Sequence, residues 1–284
     1  MLRIAIQSKG RLYDDTISLL AEADIRLPQG QGRGLLAVAK GFPLEALFLR
    51  DDDIPDTVRQ GVADIGIVGE NELLERQVRV PTVKRLGFSR CRLSLAIPKN
   101  EEYSGVRYFE HKKIATSYPN ILHSFLDREG IKAEIHVIAG SVEIAPSIGL
   151  GDAIFDIVSS GSTLASNGLK EVLTVQQSEA VLIASPTLDR QKQKDLDELL
   201  FRIEAVRSAA GKKYVLMNAP RSAVDSIVEV LPGIKSPTVM PLADPEWCSI
   251  HTVVEASNFW QIIGQLRRRG AQGVLVLPIE KMIL

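Results

Sequence analysis

Residues 156–169 read Asp-Ile-Val-Ser-Ser-Gly-Ser-Thr-Leu-Ala-Ser-Asn-Gly-Leu. The run that leads into them, residues 153–158, is short, apolar and rich in β-branched side chains, which predicts a buried strand. A turn of small residues follows, and its glycine can adopt backbone angles that are closed to other residues. A helix is predicted after the turn. A buried strand that leads through a glycine turn into a helix is typical of α/β proteins.

The same stretch indicates a ligand site. N–H groups at the start of a helix, with hydroxyls beside them, suit a phosphate group. Asp156, on the strand before the turn, would repel phosphate but can accept hydrogen bonds from sugar hydroxyls. The turn matches neither a Walker A loop nor a dinucleotide fingerprint. An acid for a ribose and a hydroxyl-rich turn for its 5′-phosphate together predict a phosphoribosyl site, although many Ser/Gly turns are only turns.

Composition limits the class of protein. The chain has 284 residues, of which 45% are hydrophobic, and a formal net charge of −1. It is therefore expected to be globular, with two or three domains, and to lack the broad positive field that nucleic acids or membranes require. Cys91 and Cys248 fit no metal spacing and are interpreted as reduced thiols. The N-terminal residues lack the apolar core of a signal peptide, so we expect a cytoplasmic protein.

A loose internal repeat predicts two α/β lobes. Residues 61–68 parallel residues 151–158: each segment has a glycine, an acid and an apolar strand, and a glycine-containing turn follows. A cleft between two such lobes is a usual place for a small ligand. Lys9 and Arg11 follow a first predicted strand, where α/β sheets bind ligands, although two solvated surface cations are the simpler interpretation.

Two further groups of acids have alternative interpretations. Asp51, Asp52 and Asp53 could bind a metal, but they also suit a helix start, with Asp53 as the N-cap. Glu143, in a turn after a strand, could share the ligand of Asp156 or lie on the surface. From residue 212 the pattern is βαββαβ, which predicts a ferredoxin-like module. The module carries few candidate catalytic groups, which suggests regulation or assembly.

Seven segments, in order along the chain, carry a resemblance to a known family. They are residues 7–12 (Gln-Ser-Lys-Gly-Arg-Leu), 50–55 (Arg-Asp-Asp-Asp-Ile-Pro), 69–71 (Gly-Glu-Asn), 115–119 (Ala-Thr-Ser-Tyr-Pro), 140–143 (Gly-Ser-Val-Glu), 156–169 and 276–282 (Val-Leu-Pro-Ile-Glu-Lys-Met). Together they resemble the long form of ATP phosphoribosyltransferase, the first enzyme of histidine biosynthesis.

The resemblance implies a fold and a reaction. It implies two periplasmic-binding-protein-like α/β lobes, 1–90 plus 179–211 and 91–178, and a ferredoxin-like regulatory domain, 212–284. The reaction would transfer the phosphoribosyl group of phosphoribosyl pyrophosphate (PRPP) to N1 of ATP and release pyrophosphate. The implied cofactor is Mg²⁺, held largely by substrate phosphates, with no protein ligands assigned. L-Histidine would inhibit, and the chain would form homo-oligomers (dimers and hexamers) without a separate regulatory subunit.

The resemblance also implies site residues. The catalytic pair would be Glu143 and Asp156, which would face the ribose hydroxyls. The PRPP site would add Ser159, Ser160, Gly161, Ser162, Thr163 and Leu164. The ATP and pyrophosphate site would contain Lys9, Gly10, Arg11, Arg50, Gly69, Glu70 and Tyr118. The resemblance makes the C-terminal module a histidine sensor, and we expect Thr238, after Pro237, to contact the inhibitor because its hydroxyl can bond a charged amine or carboxylate. The alternative function is a two-lobed small-molecule binding or sensing protein, which the paired lobes suit equally well.

Overall fold

The structure, a computed structural model, describes residues 1–28, 35–231 and 236–284. The chain divides into two compact units, Met1–Asp197 and Glu198–Leu284. The division falls within a long helix, upstream of residue 212, where the sequence predicts the start of the C-terminal module.

The first unit contains two sheets. Its strands are β1 (Leu2–Gln7), β2 (Leu36–Val38), β3 (Leu44–Leu49), β4 (Ile65–Gly69), β5 (Thr82–Arg85), β6 (Cys91–Pro98), β7 (Lys113–Thr116), β8 (Glu134–Val137), β9 (Ala153–Val158), β10 (Leu169–Ser178) and β11 (Ala180–Ala184). Its helices are α1 (Arg11–Glu22), α2 (Ile54–Arg59), α3 (Glu70–Arg76), α4 (Pro119–Glu129) and α5 (Ser162–Ser166); α6 (Arg190–Ala209) begins in this unit and ends in the next.

Each sheet forms one lobe. In lobe I six described strands follow the order β2-β3-β1-β4-β11-β5, and in lobe II five follow the order β10-β6-β9-β7-β8. The strands at the centre of lobe I are almost continuously buried, as in β4 with Ile-Gly-Ile-Val-Gly, because helices cover both faces. The chain passes from one lobe to the other between β5 and β6 and returns between β10 and β11. The two-lobed α/β fold predicted from the sequence is confirmed.

The internal repeat corresponds to equivalent strands. β4 lies between a parallel neighbour, β1, and an antiparallel one, β11. β9 likewise lies between parallel β7 and antiparallel β6. Each strand leads to a helix whose N-cap is a glycine, Gly69 for α3 and Gly161 for α5.

Lobe II has a hydrophobic core on each face of its sheet, and the two cores hold β9 and α5 in place. On one face Leu95 and Phe155 pack with Phe125 of α4. On the other face Val158 packs with Leu164 of α5. Because side chains alternate along β9, Asp156 lies on the same face as Val158.

The second unit has the ferredoxin-like arrangement. It contains β12 (Lys212–Pro220), α7 (Val224–Val228), β13 (Thr238–Pro241), β14 (Trp247–Glu255), α8 (Phe259–Arg268) and β15 (Gln272–Pro278). The four described strands follow the order β13-β14-β12-β15 and are antiparallel throughout. Met217, Ile250 and Leu266 belong to the core between sheet and helices. The predicted βαββαβ order is confirmed.

Candidate active site

Asp156 and Glu143 come together on one face of lobe II. Asp156 is half-buried on β9, and the N–H of Ile157 donates to its Oδ1 at 2.8 Å. Glu143 lies in a 3-10 turn, Val142–Ile144, and is also half-buried. Burial raises the pKa of Asp156 to about 6, the Ile157 N–H opposes this shift, and the carboxylate of Glu143 adds to it. The two acids therefore share one electrostatic environment, although 13 residues separate them in the sequence.

The turn after β9, residues 159–164, is called here the 159–164 loop. Gly161 has a φ of +81°, and the Oγ atoms of Ser160 and Ser162 are 3.0 Å apart. The N–H of Ala165 donates to the carbonyl of Gly161 at 3.0 Å, so the N–H groups of residues 162–164 precede the first helical bond. Leu164 is buried with Val158, which leaves only its backbone for a ligand.

Two adjoining cavities form a cleft between the lobes. The first has a volume of about 390 Å³ and the second about 440 Å³. Both are lined by Asp51, Glu72 and Tyr118. The first is also lined by Arg11, Gly69 and Ser159, and the second by Arg50. The cleft thus collects candidate residues that the sequence spreads over more than 100 positions.

Arg11 reaches across the cleft to the 159–164 loop. It opens α1 directly after Gly10, which caps the helix with a φ of +93°. Its Nη1 donates to the Oγ of Ser159 at 2.8 Å. Lys9 is exposed in the same turn at the carboxyl end of β1. Arg11 therefore contacts the turn of lobe II that is expected to hold a phosphate, and Lys9 lies two residues before Arg11 in the chain.

Glu72 is a buried acid on the lobe I wall of the cleft. Its side chain accepts a hydrogen bond from Nδ2 of Asn71 at 2.9 Å, and the same Nδ2 is 3.5 Å from the hydroxyl of Tyr118. Burial and the carboxylate of Asp51 raise the pKa of Glu72 to about 7. Burial and the carboxylate of Glu72 likewise raise the pKa of Tyr118. A Cβ atom at Gly69 would lie 2.4 Å from Oδ1 of Asn71, so this network requires glycine there.

Comparison with known proteins identifies the family. Residues 50–205 match the family profile of ATP phosphoribosyltransferase, and residues 209–281 match the profile of the HisG C-terminal domain. The chain is 65% identical to an ATP phosphoribosyltransferase of Parabacteroides distasonis and 62% identical to one of Bacteroides fragilis, in both cases over the full length of each chain. The chain belongs to the ATP phosphoribosyltransferase family.

A solved structure agrees with this assignment. The ATP phosphoribosyl transferase (HisG:HisZ) complex of Thermotoga maritima contains a chain that matches with a TM-score of 0.61 and 28% identity. The match covers 72% of this chain and 96% of that chain. As an ATP phosphoribosyltransferase of the long form, the protein is an enzyme that transfers the phosphoribosyl group of PRPP to ATP. Between the two functions that the sequence left open, the comparisons therefore support the enzyme.

Two of the expected ATP phosphoribosyltransferase residues have other partners in this structure. The carboxylate of Glu70 bonds Arg85, which also bonds Glu179 at 3.0 Å. Arg50 has a largely exposed side chain and lies 3.3 Å from Asp52 at the second cavity.

Asp53 is at the N-cap position of α2, as the sequence predicts. Its side chain makes no capping bond, because a 3-10 turn, Asp51–Asp53, already begins the helix.

Thr238, the residue expected to contact histidine, lies in the second unit. It is exposed on β13, in register with His251 of β14. Nδ1 of His251 is 2.8 Å from the hydroxyl of Tyr214, and its Nε2 is 2.9 Å from Oγ of Ser249. Thr238 thus adjoins a polar cluster on this sheet.

Asn71 and Glu72 of the cleft were not predicted as site residues. Asn71 stood only in a motif of the resemblance, and Glu72 carried no local signal. Within residues 1–28, 35–231 and 236–284 there is no group of three or more His, Cys, Asp or Glu side chains placed to hold a metal. None of the helices in these same ranges has the length and apolar character needed to span a bilayer.

Proposed function

We propose that the 159–164 loop binds the 5′-phosphate of PRPP while Asp156 and Glu143 orient its ribose hydroxyls. The observation that carries the proposal is that Glu143 is close enough to raise the pKa of Asp156, on the strand that leads into a turn whose N–H groups precede the first helical bond. Ser159, Ser160, Ser162 and Thr163 would contribute hydroxyls. Gly161 would admit the phosphate to the backbone, and Leu164 would offer its N–H.

The rest of the cleft would then hold ATP and pyrophosphate. The residues proposed for this part are Lys9, Gly10, Arg11, Arg50, Gly69, Glu70 and Tyr118. In this structure the carboxylate of Glu70 bonds Arg85 and its N–H donates to the carbonyl of Glu179. N1 of ATP attacks C1 of the ribose as the bond to pyrophosphate breaks. The transition state resembles an oxocarbenium ion, so alignment of two anionic substrates and neutralisation of the leaving group provide the catalysis. Ionised Asp156 and Glu143 would also favour positive charge on the ribose.

Mg²⁺ fits this site as an ion that arrives with substrate. The described residues supply no ready set of three ligands, and Mg²⁺ bound to phosphates typically takes only one or two protein carboxylates. Asp51, which lines both cavities, is the residue proposed to hold it. When bound, the ion neutralises charge on the departing pyrophosphate.

We also propose a division of the chain into domains and a mode of regulation. Lobe I would comprise 1–90 plus 179–211, lobe II 91–178 and the regulatory domain 212–284. The enzyme would form homo-oligomers, dimers or hexamers, and L-histidine would inhibit it. We also expect no separate regulatory subunit, no binding of nucleic acid or membrane, and a location in the cytoplasm.

A transfer assay with ATP and PRPP tests the site. Asp156→Asn and Glu143→Gln keep each shape and remove one charge, so each is expected to lower kcat/KM at least tenfold, about 1.4 kcal/mol. The control is Asp127→Asn, an exposed acid on α4 whose carboxylate is 2.8 Å from His123. If kcat and KM are unchanged in both site variants, the assigned roles are wrong.

A further inference from the structure

Ser159, the first residue of the 159–164 loop, is held at two atoms by two arginines. Arg11 donates to its Oγ from lobe I, as described above. Arg92 of β6 donates through Nη1 to its carbonyl oxygen at 3.0 Å. Because a trans peptide is planar, a fixed Ser159 carbonyl directs the N–H of Ser160 the opposite way. The bond from Arg92 therefore determines the orientation of the first peptide of the loop.

Arg92 is itself fixed by Glu171 of β10. Its Nε and Nη2 donate to the two carboxylate oxygens of Glu171, both at 2.5 Å. The two side chains are 30% and 24% exposed. The bonds from Arg92 lower the pKa of Glu171 to about 2, so the carboxylate is ionised at any pH near neutrality. A bidentate pair of this kind fixes the guanidinium plane and not only the charge.

An irregularity in the pairing of β10 with β6 allows two hydroxyl groups to bond Glu171 as well. Oε1 of Glu171 also accepts from the hydroxyls of Ser94 at 2.8 Å and Thr174 at 3.1 Å. Residues three apart in a regular strand face opposite sides of the sheet. The pairing of β10 with β6 shifts between Glu171 and Leu173, and this bulge brings Glu171 and Thr174 to the same side. Ser94 is in register with Asp156, so the cluster lies one strand away from the proposed catalytic acid.

We propose that Arg92, oriented by Glu171, is a positioning residue for PRPP: it sets the 159–164 loop in the conformation that receives the 5′-phosphate. The inference rests on the phosphate-binding role proposed for the loop. One guanidinium N–H of Arg92 bonds the carbonyl of Ser159, and we expect Arg92 to act on the loop through this bond. An ordinary surface ion pair would have little effect, but this pair has bidentate geometry and a third bond to the loop itself.

Lobe II offers a matched control. Nη1 of Arg107 also contacts one carboxylate, that of Glu110 at 3.4 Å, and one backbone carbonyl, that of Gly130 at 3.3 Å. Its side chain is 72% exposed; Gly130 follows the last residue of α4, and Glu110 follows the 3-10 turn Val106–Phe109. Arg107→Gln therefore removes the same charge and the same kinds of bond from the same lobe, away from the loop.

The test compares the Michaelis constants for the two substrates. Arg92→Gln and Glu171→Gln are expected to raise the KM for PRPP about 10- to 100-fold, because a misoriented loop loses charge-assisted bonds to phosphate. The KM for ATP and kcat should stay within about twofold of the values for Arg107→Gln. Arg92→Lys should not restore the KM, because an ammonium cannot hold both carboxylate oxygens and the carbonyl in one plane. The double variant Arg92→Gln/Glu171→Gln should be no worse than Arg92→Gln, since the two residues act as one unit.

Two results separate this inference from the proposal it rests on. Gly161→Val should raise the KM for PRPP, because a β-branched side chain disfavours a φ of +81° and fills the turn. If Gly161→Val leaves that KM unchanged, the loop is not the phosphate site and both ideas fail. If Gly161→Val raises it but Arg92→Gln behaves like Arg107→Gln, or if Arg92→Lys restores it, only the positioning role is overturned. A fall in Tm for Arg92→Gln with both KM values altered equally would also overturn it.

Discussion

Asp156 ionises with a pKa of about 6 because burial raises it from the ordinary value of 3.8. Between these two pH values the native state binds a proton more tightly than the unfolded chain. The free energy of unfolding therefore falls as the pH rises through this window, and above it the group contributes a constant cost. A cost of this kind agrees with the catalytic role proposed for Asp156, because activity and stability often conflict at active sites.

This cost gives a prediction for Asp156→Asn. The amide has no charge to bury, so the variant should have a higher Tm than the natural chain at pH 8, and the difference should shrink towards pH 4. Thermal unfolding across that pH range measures it. Asp127→Asn, the exposed control, should show no such convergence. A lower Tm at pH 8 for Asp156→Asn would mean that the carboxylate stabilises the site.

At the scale of single residues, the sequence predicted those site residues that lie next to one another along the chain. Asp156 and the 159–164 loop were recognisable because a strand, a glycine turn and a helix start are contiguous. The pair of Arg92 and Glu171 was not recognisable, because 79 residues separate them and a β-bulge brings their partners to one side. The raised pKa of Glu72 depends on burial by the fold and on Asp51 from another loop, and neither can be inferred from neighbouring residues.

At the scale of secondary-structure elements, α3 of lobe I caps α4 of lobe II. The buried carboxylate of Glu75 accepts from the N–H groups of Asn120 at 3.0 Å and Ile121 at 3.1 Å. Nδ2 of Asn120 returns a bond to the carbonyl of Glu75 at 2.9 Å. The free N–H groups at the start of α4 are thus satisfied by the other lobe, which ties the two walls of the cleft together.

Glu75→Gln should weaken the contact between α3 and α4 and lower the free energy of unfolding. Only one of the two amide atoms can accept, so one buried N–H loses its partner, at a cost of about 1–3 kcal/mol. Urea unfolding of the full chain, compared with Glu134→Gln at an exposed position on β8, measures the difference. Equal stabilities for the two variants would show that Glu75 contributes no more than a surface acid.

The sequence located long elements better than short ones. The sequence predicted a strand at residues 153–158, and β9 occupies the same residues. It missed β2, with three residues, and β5, with four. Segments this short have no readable alternation, and they become strands because a neighbouring strand offers backbone partners.

At the scale of the whole molecule, the chain combines catalytic lobes with its own C-terminal domain. We therefore predict that the purified polypeptide catalyses transfer from PRPP to ATP without any added protein. Initial rates of the pure chain, before and after addition of an extract depleted of it, measure this. Activity that depends on the extract would contradict the prediction that no separate regulatory subunit is required.

Feedback by histidine belongs to the same scale, because Thr238 lies in the second unit and the proposed catalytic residues lie in the first. Inhibition across that separation requires histidine to favour one conformation or assembly over another. Such coupling is typically about 1–3 kcal/mol, or 5- to 150-fold in affinity. The hydroxyl of Thr238 can bond the amine or carboxylate of an amino acid. Thr238→Val keeps the branched shape of the exposed side chain and removes this hydroxyl.

We expect Thr238→Val to shift the histidine concentration for half-inhibition upwards by about tenfold, the loss of one hydrogen bond to a charged group. The rate without histidine should not change, because the substitution is outside the lobes. Histidine is titrated against initial rate at several concentrations of ATP and PRPP, with the oligomeric state followed in the same samples. Ser257→Ala, an exposed hydroxyl in the turn before α8, is the control. If histidine inhibits both variants equally, the histidine site does not include Thr238. If millimolar histidine does not inhibit the natural chain, the second unit has a role in assembly alone.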